Sequence, residues 1–174
     1  MDNINFLKSK IRDVPNYPKE GILFKDITPL LRDAKAFSVC IDEMTALVPN
    51  DTDYIIGVEA RGFILGGAIA YRKGIGFVPA RKKGKLPHKT ISRDYGLEYG
   101  TASLEIHVDA IEAGKKVVIV DDLLATGGTA LATAELVRSL GGTITSFLFL
   151  VELSELNGGE RLKSIGKVEA LLKF

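Results

Sequence analysis

Residues 117–129 read VVIVDDLLATGGT. Four β-branched apolar residues lead into two adjacent aspartates, and a polar turn with two glycines between threonines follows. A near-continuous apolar run of this length predicts a strand covered on both faces, over residues 115–120. Beyond the turn, Ala130, Ala134 and Val137 recur at i, i+4 and i+7, flanked by Leu136 and Leu140, which predicts a helix over 129–140. The stretch is therefore a strand, a loop and a helix, with Asp121 and Asp122 just past the strand's carboxyl end. On open α/β sheets that end is where ligands bind.

The same alternation extends outward. A short β-branched strand and then a turn are predicted within DYIIGVEARG (53–62), further strands at 76–80, 99–108 and 143–151, and helices at 4–14, 34–48 and 62–71. Pro15 and Pro18 close the first helix and Pro49 the second. Residues 21–31, GILFKDITPLL, mix extended and turn signals. Residues 81–98 are charged and rich in turn residues, which suggests a two-stranded flap. The final GKVEALLKF suits either a strand or a short helix. Strands alternating with helices predict an α/β fold, a mainly parallel central sheet flanked by helices.

A chain of 174 residues is long enough for one domain with a sizeable core, and no repeat or low-complexity linker divides it. A formal net charge of +1 gives no reason to expect a nucleic-acid or membrane partner. The single cysteine, Cys40, excludes an internal disulfide and reads as a small buried residue. The first residues carry an early acid and no long apolar segment, and no apolar run approaches the ~20 residues that span a bilayer. A cytoplasmic location is expected.

The loop Ala125-Thr126-Gly127-Gly128-Thr129 has the makings of a phosphate cradle. Glycines allow a tight backbone and a close approach. The first N–H groups of the following helix lack internal partners and carry the positive end of its dipole. Thr126 and Thr129 add hydroxyl donors. Asp121 and Asp122 would repel phosphate, but they accept hydrogen bonds well, and a vicinal ribose diol offers two donors. Together the acids and the loop suit a 5-phosphoribosyl group. Two competing readings are an ordinary Asx-rich corner and the magnesium-holding strand of a P-loop NTPase. The second needs G-x-x-x-x-G-K-[ST], which GVEARGFI and the Gly84-Lys85 pair both fail. GIGFVP lacks the third glycine of a dinucleotide fingerprint.

VVIVDDLLATGGT resembles the signature of the type I phosphoribosyltransferases, which bind 5-phosphoribosyl 1-pyrophosphate. GILFKDITPLL (21–31), GVEARGF (57–63), RKKGKLP (81–87) and LEYGTASLEIHVDA (97–110) occur in the order found in the adenine-using members, so the resemblance spans most of residues 18–151. It implies a single domain over 1–174, with hood elements near 1–32 and a flexible flap near 84–99. It implies transfer of phosphoribose to N9 of adenine, giving AMP and pyrophosphate, with Mg2+ held mainly by ligand and water rather than directly by the protein. It also implies a homodimer. A phosphoribosyltransferase for another purine, or a donor-sensing regulator without turnover, remain the alternatives.

The resemblance implies these roles. Asp121 and Asp122 hold the ribose, and Ala125, Thr126, Gly127, Gly128 and Thr129 the 5′-phosphate. The turn Glu59-Ala60-Arg61, often built on a cis peptide in the family, binds pyrophosphate. Some members have Asp-Ser at the first two positions, so here the backbone is the expected contact. Arg81 and Lys85 also meet pyrophosphate, although a basic run by itself suggests a solvated face. Phe24 stacks on adenine while the backbone of Leu23 and Lys25 reads its edge; taken alone, Phe24 would be a core residue. Glu98 is the acid/base residue, catalytic beside Asp122, and Tyr99 packs against the reacting groups. His88 and His107 receive no role.

Overall fold

The computed structural model describes residues 2–96 and 101–174. Two compact units divide at Glu43 and Met44.

In the first unit, α1 (Asn3–Lys8) is capped by Asp2, whose carboxylate accepts from Asn5 N at 2.8 Å. The helix ends at Lys8, six residues short of the expected end at 14. Residues 12–15 instead form β1 (Arg12–Pro15), which pairs antiparallel with β2 (Leu23–Asp26), placing Val14 opposite Phe24. The spacing of Ile4, Leu7 and Ile11 fits a helix, but the ladder to β2 takes the backbone first. A bond from Arg12 Nη2 to Asp26 Oδ2 at 2.5 Å closes that hairpin. Asp26 also accepts from Thr28 N at 2.9 Å, at the start of α2 (Thr28–Arg32). The next helix, α3 (Ala34–Ala46), buries Ala36, Cys40 and Met44.

The second unit is built on a seven-stranded sheet. Its strands are β3 (Tyr54–Val58), β4 (Gly76–Lys82), β5 (Thr90–Gly96), β6 (Thr101–His107), β7 (Lys116–Leu124), β8 (Thr143–Glu152) and β9 (Lys167–Lys173), in the order β5-β6-β4-β3-β7-β8-β9. The five from β4 to β9 in that order are parallel, and β5 and β6 are antiparallel. Val117, Val118, Ile119 and Val120 are all fully buried, as the opening run requires. The two crossover helices are α4 (Arg61–Lys73) and α5 (Gly128–Ser139), and α5 buries Ala130, Ala134 and Val137.

One boundary differs from the sequence reading, and two readings are made definite. β7 runs through both aspartates to Leu124, because Leu123 and Leu124 continue its ladder opposite Val151 and Glu152. The charged excursion is the arm β5, paired along its length with β6 and joined to the main sheet where Arg81 faces Glu105. The ambiguous C-terminus is a strand, held parallel to β8.

From β3 the chain crosses through α4 to β4 on one side. From β7 it crosses through α5 to β8 on the other. β3 and β7 are neighbours, so the loops leaving their carboxyl ends diverge and open a crevice between them.

Candidate active site

The loop after β3 turns at Glu59 and Ala60, joined by a cis peptide, and enters α4 at Arg61. Gly62 lets this turn sit directly on β7 at Val120 and Asp121. A Cβ there would stand 2.8 Å from Val120 O and 3.0 Å from Asp121 Oδ1. The loop after β7 turns at Gly127, whose φ of 79° lies in the left-handed region that favours glycine, and α5 begins at the next residue.

Both loops line one cleft of about 410 Å³. The structure brings together there Glu59, Ala60 and Arg61 from the first loop with Asp121, Asp122 and the whole stretch 125–129 from the second. Cations and anions are already matched within it. Arg61 Nε donates to Asp122 Oδ2 at 2.5 Å. Asp122 is buried, at 4 % exposure, and its backbone N–H donates to Asp121 Oδ1 at 2.8 Å. Asp121 is held well above the ordinary carboxylate range, first by burial and then by the neighbouring charge of Asp122, with Arg61 opposing.

Glu59 turns its carboxylate toward β4. It receives Arg81 Nε and Nη2 at 3.2 Å each and Lys82 N at 2.9 Å. Burial raises its pKa, but the hydrogen bonds from Arg81 and Lys82 outweigh burial and leave it below its usual value. Arg81 also donates to the backbone carbonyl of Lys85 at 3.1 Å, and buried Glu105 accepts from Gly84 N at 3.0 Å. Arg81 thus stands one side chain back from the cleft, and the Lys85 side chain is on the exposed part of its loop.

Lys82 and Tyr95 line the cleft although the sequence reading gave them no role. Strand alternation was the available signal. Along β5, Ile91 and Tyr95 pack against the core, and Arg93 between them pairs with Glu135 of α5 at 3.2 Å. His88 N donates to His107 Nε2 at 3.4 Å, outside the cleft. Leu23, Phe24 and Lys25 lie together on β2 in the N-terminal unit. Phe24 meets Tyr17 edge to face at 5.2 Å, and Lys25 Nζ pairs with Asp13 at 2.7 Å. Glu98 and Tyr99 fall outside the described residues.

The profile of the phosphoribosyl transferase domain matches residues 24–164, a span that includes every cleft loop. The chain belongs to the phosphoribosyl transferase family. Among members of that family, the adenine phosphoribosyltransferase of Alkaliphilus metalliredigens is 56 % identical over 169 residues, which is 97 % of this chain and 99 % of that protein. The crystal structure of adenine phosphoribosyltransferase from Thermoanaerobacter pseudethanolicus superposes with a TM-score of 0.94 at 54 % identity, covering 98 % of this chain and 99 % of the other. The Saccharomyces cerevisiae adenine phosphoribosyltransferase, in complex with adenine and an imino-altritol bisphosphate, gives a TM-score of 0.90 at 41 % identity, with 98 % of each chain covered. The mainly parallel sheet with its flanking helices is thus the type I phosphoribosyltransferase fold.

Proposed function

We infer that this enzyme works in purine salvage, moving the 5-phosphoribosyl group from 5-phosphoribosyl 1-pyrophosphate to N9 of adenine and producing AMP and pyrophosphate. One observation carries the reading. Two diverging strand ends bring a diacid, an arginine turn and a glycine loop at a helix start into a single cleft, in a chain more than half identical to named adenine phosphoribosyltransferases.

The roles are those the family resemblance implies, and general chemistry supports them. The 5′-phosphate sits in the loop 125–129, on the N-terminus of α5, where N–H groups and the helix dipole favour an anion. Asp121 and Asp122 accept the ribose hydroxyls. The backbone at Glu59 and Ala60, together with Arg61, takes pyrophosphate, with Arg81 and Lys85 adding positive charge. As the C1–O bond to pyrophosphate breaks, positive charge grows on the ribose carbon, and the two carboxylates beside it favour that charge. N9 of adenine then bonds to C1 and gives its proton to Glu98. Tyr99 packs over the reacting groups while the flap excludes water.

Adenine stacks on Phe24. β1 and β2 form a two-stranded sheet, so alternate backbone groups of β2 face away from β1 and are open to a purine edge. Leu23 and Lys25 supply these groups, and the Lys25 side chain is taken up by Asp13. A carbonyl facing the 6-amino group rejects 6-oxopurines, whose acceptor would be left unpaired.

When bound with pyrophosphate, Mg2+ would supply neutralisation of the leaving charge; Asp121 and Asp122 present hard oxygens compatible with the ion, and the proposal has most of its oxygens come from ligand and water. The proposal includes one functional domain, a homodimer and a cytoplasmic setting. No helix among the described residues is long and apolar enough to cross a membrane.

The test is base-dependent pyrophosphate release. Adenine is expected to support turnover, and hypoxanthine, guanine, xanthine and orotate to give little. Equal or greater turnover with a 6-oxopurine would overturn the specificity, and donor binding without turnover on any base would indicate a sensor.

A further inference from the structure

The turn that follows β8 has no assigned part in the chemistry, yet it is packed against the phosphate loop. It consists of two short 3-10 turns, Ser154–Leu156 and Gly158–Arg161. Its ends are fixed. Leu153 N donates to Leu124 O at 3.0 Å, and Leu162 is fully buried in the same core cluster as Leu124 and Ala130.

Between those anchors the backbone at Gly158 presses on the loop. A Cβ at Gly158 would stand 2.1 Å from Ala125 O and 2.9 Å from Gly127 N. From the other side, a Cβ at Gly127 would stand 2.7 Å from Gly158 O. Two bare backbones meet where no side chain fits. Beside them, Arg161 Nη1 donates to Thr126 O at 3.3 Å. Arg161 does not line the cleft, so it engages this carbonyl from outside it.

Carbonyl oxygens repel a bound phosphate, whereas N–H groups attract it. A loop of glycine and small residues has several backbone conformations close in energy, and peptides turned the wrong way present oxygen to the anion. Holding Thr126 O on a guanidinium and wedging Ala125 O against Gly158 removes that freedom before the ligand arrives. This preorganisation lowers the cost of binding.

We propose that Gly158 and Arg161 are positioning residues for the 5′-phosphate subsite, bracing the backbone at 125–127 in its anion-binding shape. The proposal rests on the reading of that loop as the phosphate site.

The experiment compares Arg161→Ala, Arg161→Lys and Gly158→Ala with wild type in the full-length enzyme. It reads KM for 5-phosphoribosyl 1-pyrophosphate and for adenine, kcat, the Kd of ribose 5-phosphate and of pyrophosphate by calorimetry, and Tm. Arg161 is exposed, so its variants are expected to fold. Arg161→Ala should raise the donor KM and the ribose 5-phosphate Kd about three- to tenfold, the net weight of one long, solvent-exposed hydrogen bond. Its kcat, adenine KM, pyrophosphate Kd and Tm should stay near wild type, and Arg161→Lys should recover most of the loss. Gly158→Ala should shift the same two constants further.

An unchanged ribose 5-phosphate Kd in Arg161→Ala would overturn the proposal. So would equal weakening of every ligand with a lowered Tm, the mark of general damage. Failure of the wild-type enzyme to bind ribose 5-phosphate at all would instead overturn the reading of the loop, and the proposal with it.

Discussion

Arg61 and Asp122, 61 residues apart in sequence, meet at 2.5 Å across the carboxyl ends of β3 and β7. The acid is 6 % exposed at its side chain and the arginine 48 %. The pairing ties the pyrophosphate turn to the ribose diacid and supplies the cation a buried carboxylate requires. Asp122→Asn keeps the shape and removes the charge. It should leave the circular dichroism spectrum unchanged and lower kcat/KM for the ribosyl donor by about ten- to a hundredfold, the worth of a charge-assisted hydrogen bond. Steady-state kinetics with the donor varied decide this. Wild-type values would remove Asp122 from the diol site.

Glu59 and Arg81 form a second link, from the same turn to the basic loop. Glu59 binds Arg81 through two nitrogens and Lys82 through its backbone, and Arg81 passes the connection to the Lys85 carbonyl. A double-mutant cycle with Glu59→Gln and Arg81→Ala, followed by urea denaturation, should give a coupling energy of about 1 kcal/mol, ordinary for contacting, partly exposed charges. Glu59→Gln should also raise the donor KM, because the basic loop loses its tether. Additive effects in the cycle would show that the pair does not hold the loop.

Glu98 is proposed to take the proton from N9. Glu98→Gln should therefore depress kcat by about a hundredfold or more, within the usual range for general acid–base groups, while donor Kd changes little. Loss of donor affinity with kcat preserved would assign the residue to loop structure instead.

Burial pushes the Cys40 thiol up to about 12. The thiolate, which is the reactive form, is then scarce at any physiological pH. Native protein should resist iodoacetamide at pH 8 and become labelled only in denaturant. Rapid labelling of the native chain would show that α3 opens.

The strand–loop–helix around the diacid was legible because each signal was local: four fully buried apolar residues, two acids, glycines at a turn and a 3.6-residue stripe. The parallel order followed from strands alternating with helices. The end of β7 was not legible, since Leu123 and Leu124 continue the strand only because β8 lies alongside with Val151 and Glu152 in register. The first helix was overestimated for the same reason, as pairing of Val14 with Phe24 depends on a partner ten residues on. Lys82, Tyr95 and Gly158 approach the site through tertiary packing, and no short motif marks them. The tie between Glu59 and Arg81 was hidden too, because both residues were read as facing the ligand and not each other.

Asp121 gives a pH-dependent test. Burial and the adjacent Asp122 raise its pKa in the folded protein above the value in the unfolded chain. Below the unfolded value both states hold the proton, and the group does not affect stability. Between the two values the folded state keeps a proton that the unfolded state has lost, so stability falls as pH rises through this window. Above the folded value the ionised acid destabilises the fold in full. Asp121→Asn mimics the protonated acid, and its side-chain oxygen can still accept from Asp122 N. The variant should melt above wild type at pH 7, and the gap should close as pH falls toward the ordinary carboxylate range. The same substitution should weaken binding of the ribosyl donor, since the neutral amide is a poorer acceptor for a hydroxyl. A more stable protein with a weaker site is the outcome expected if the carboxylate is retained for function at a cost in stability. Thermal melts from pH 4 to 8, paired with donor titrations at pH 7, read both effects. A variant that melts below wild type throughout that range would show that Asp121 stabilises the fold, and that the repulsion between the two acids is fully offset by Arg61.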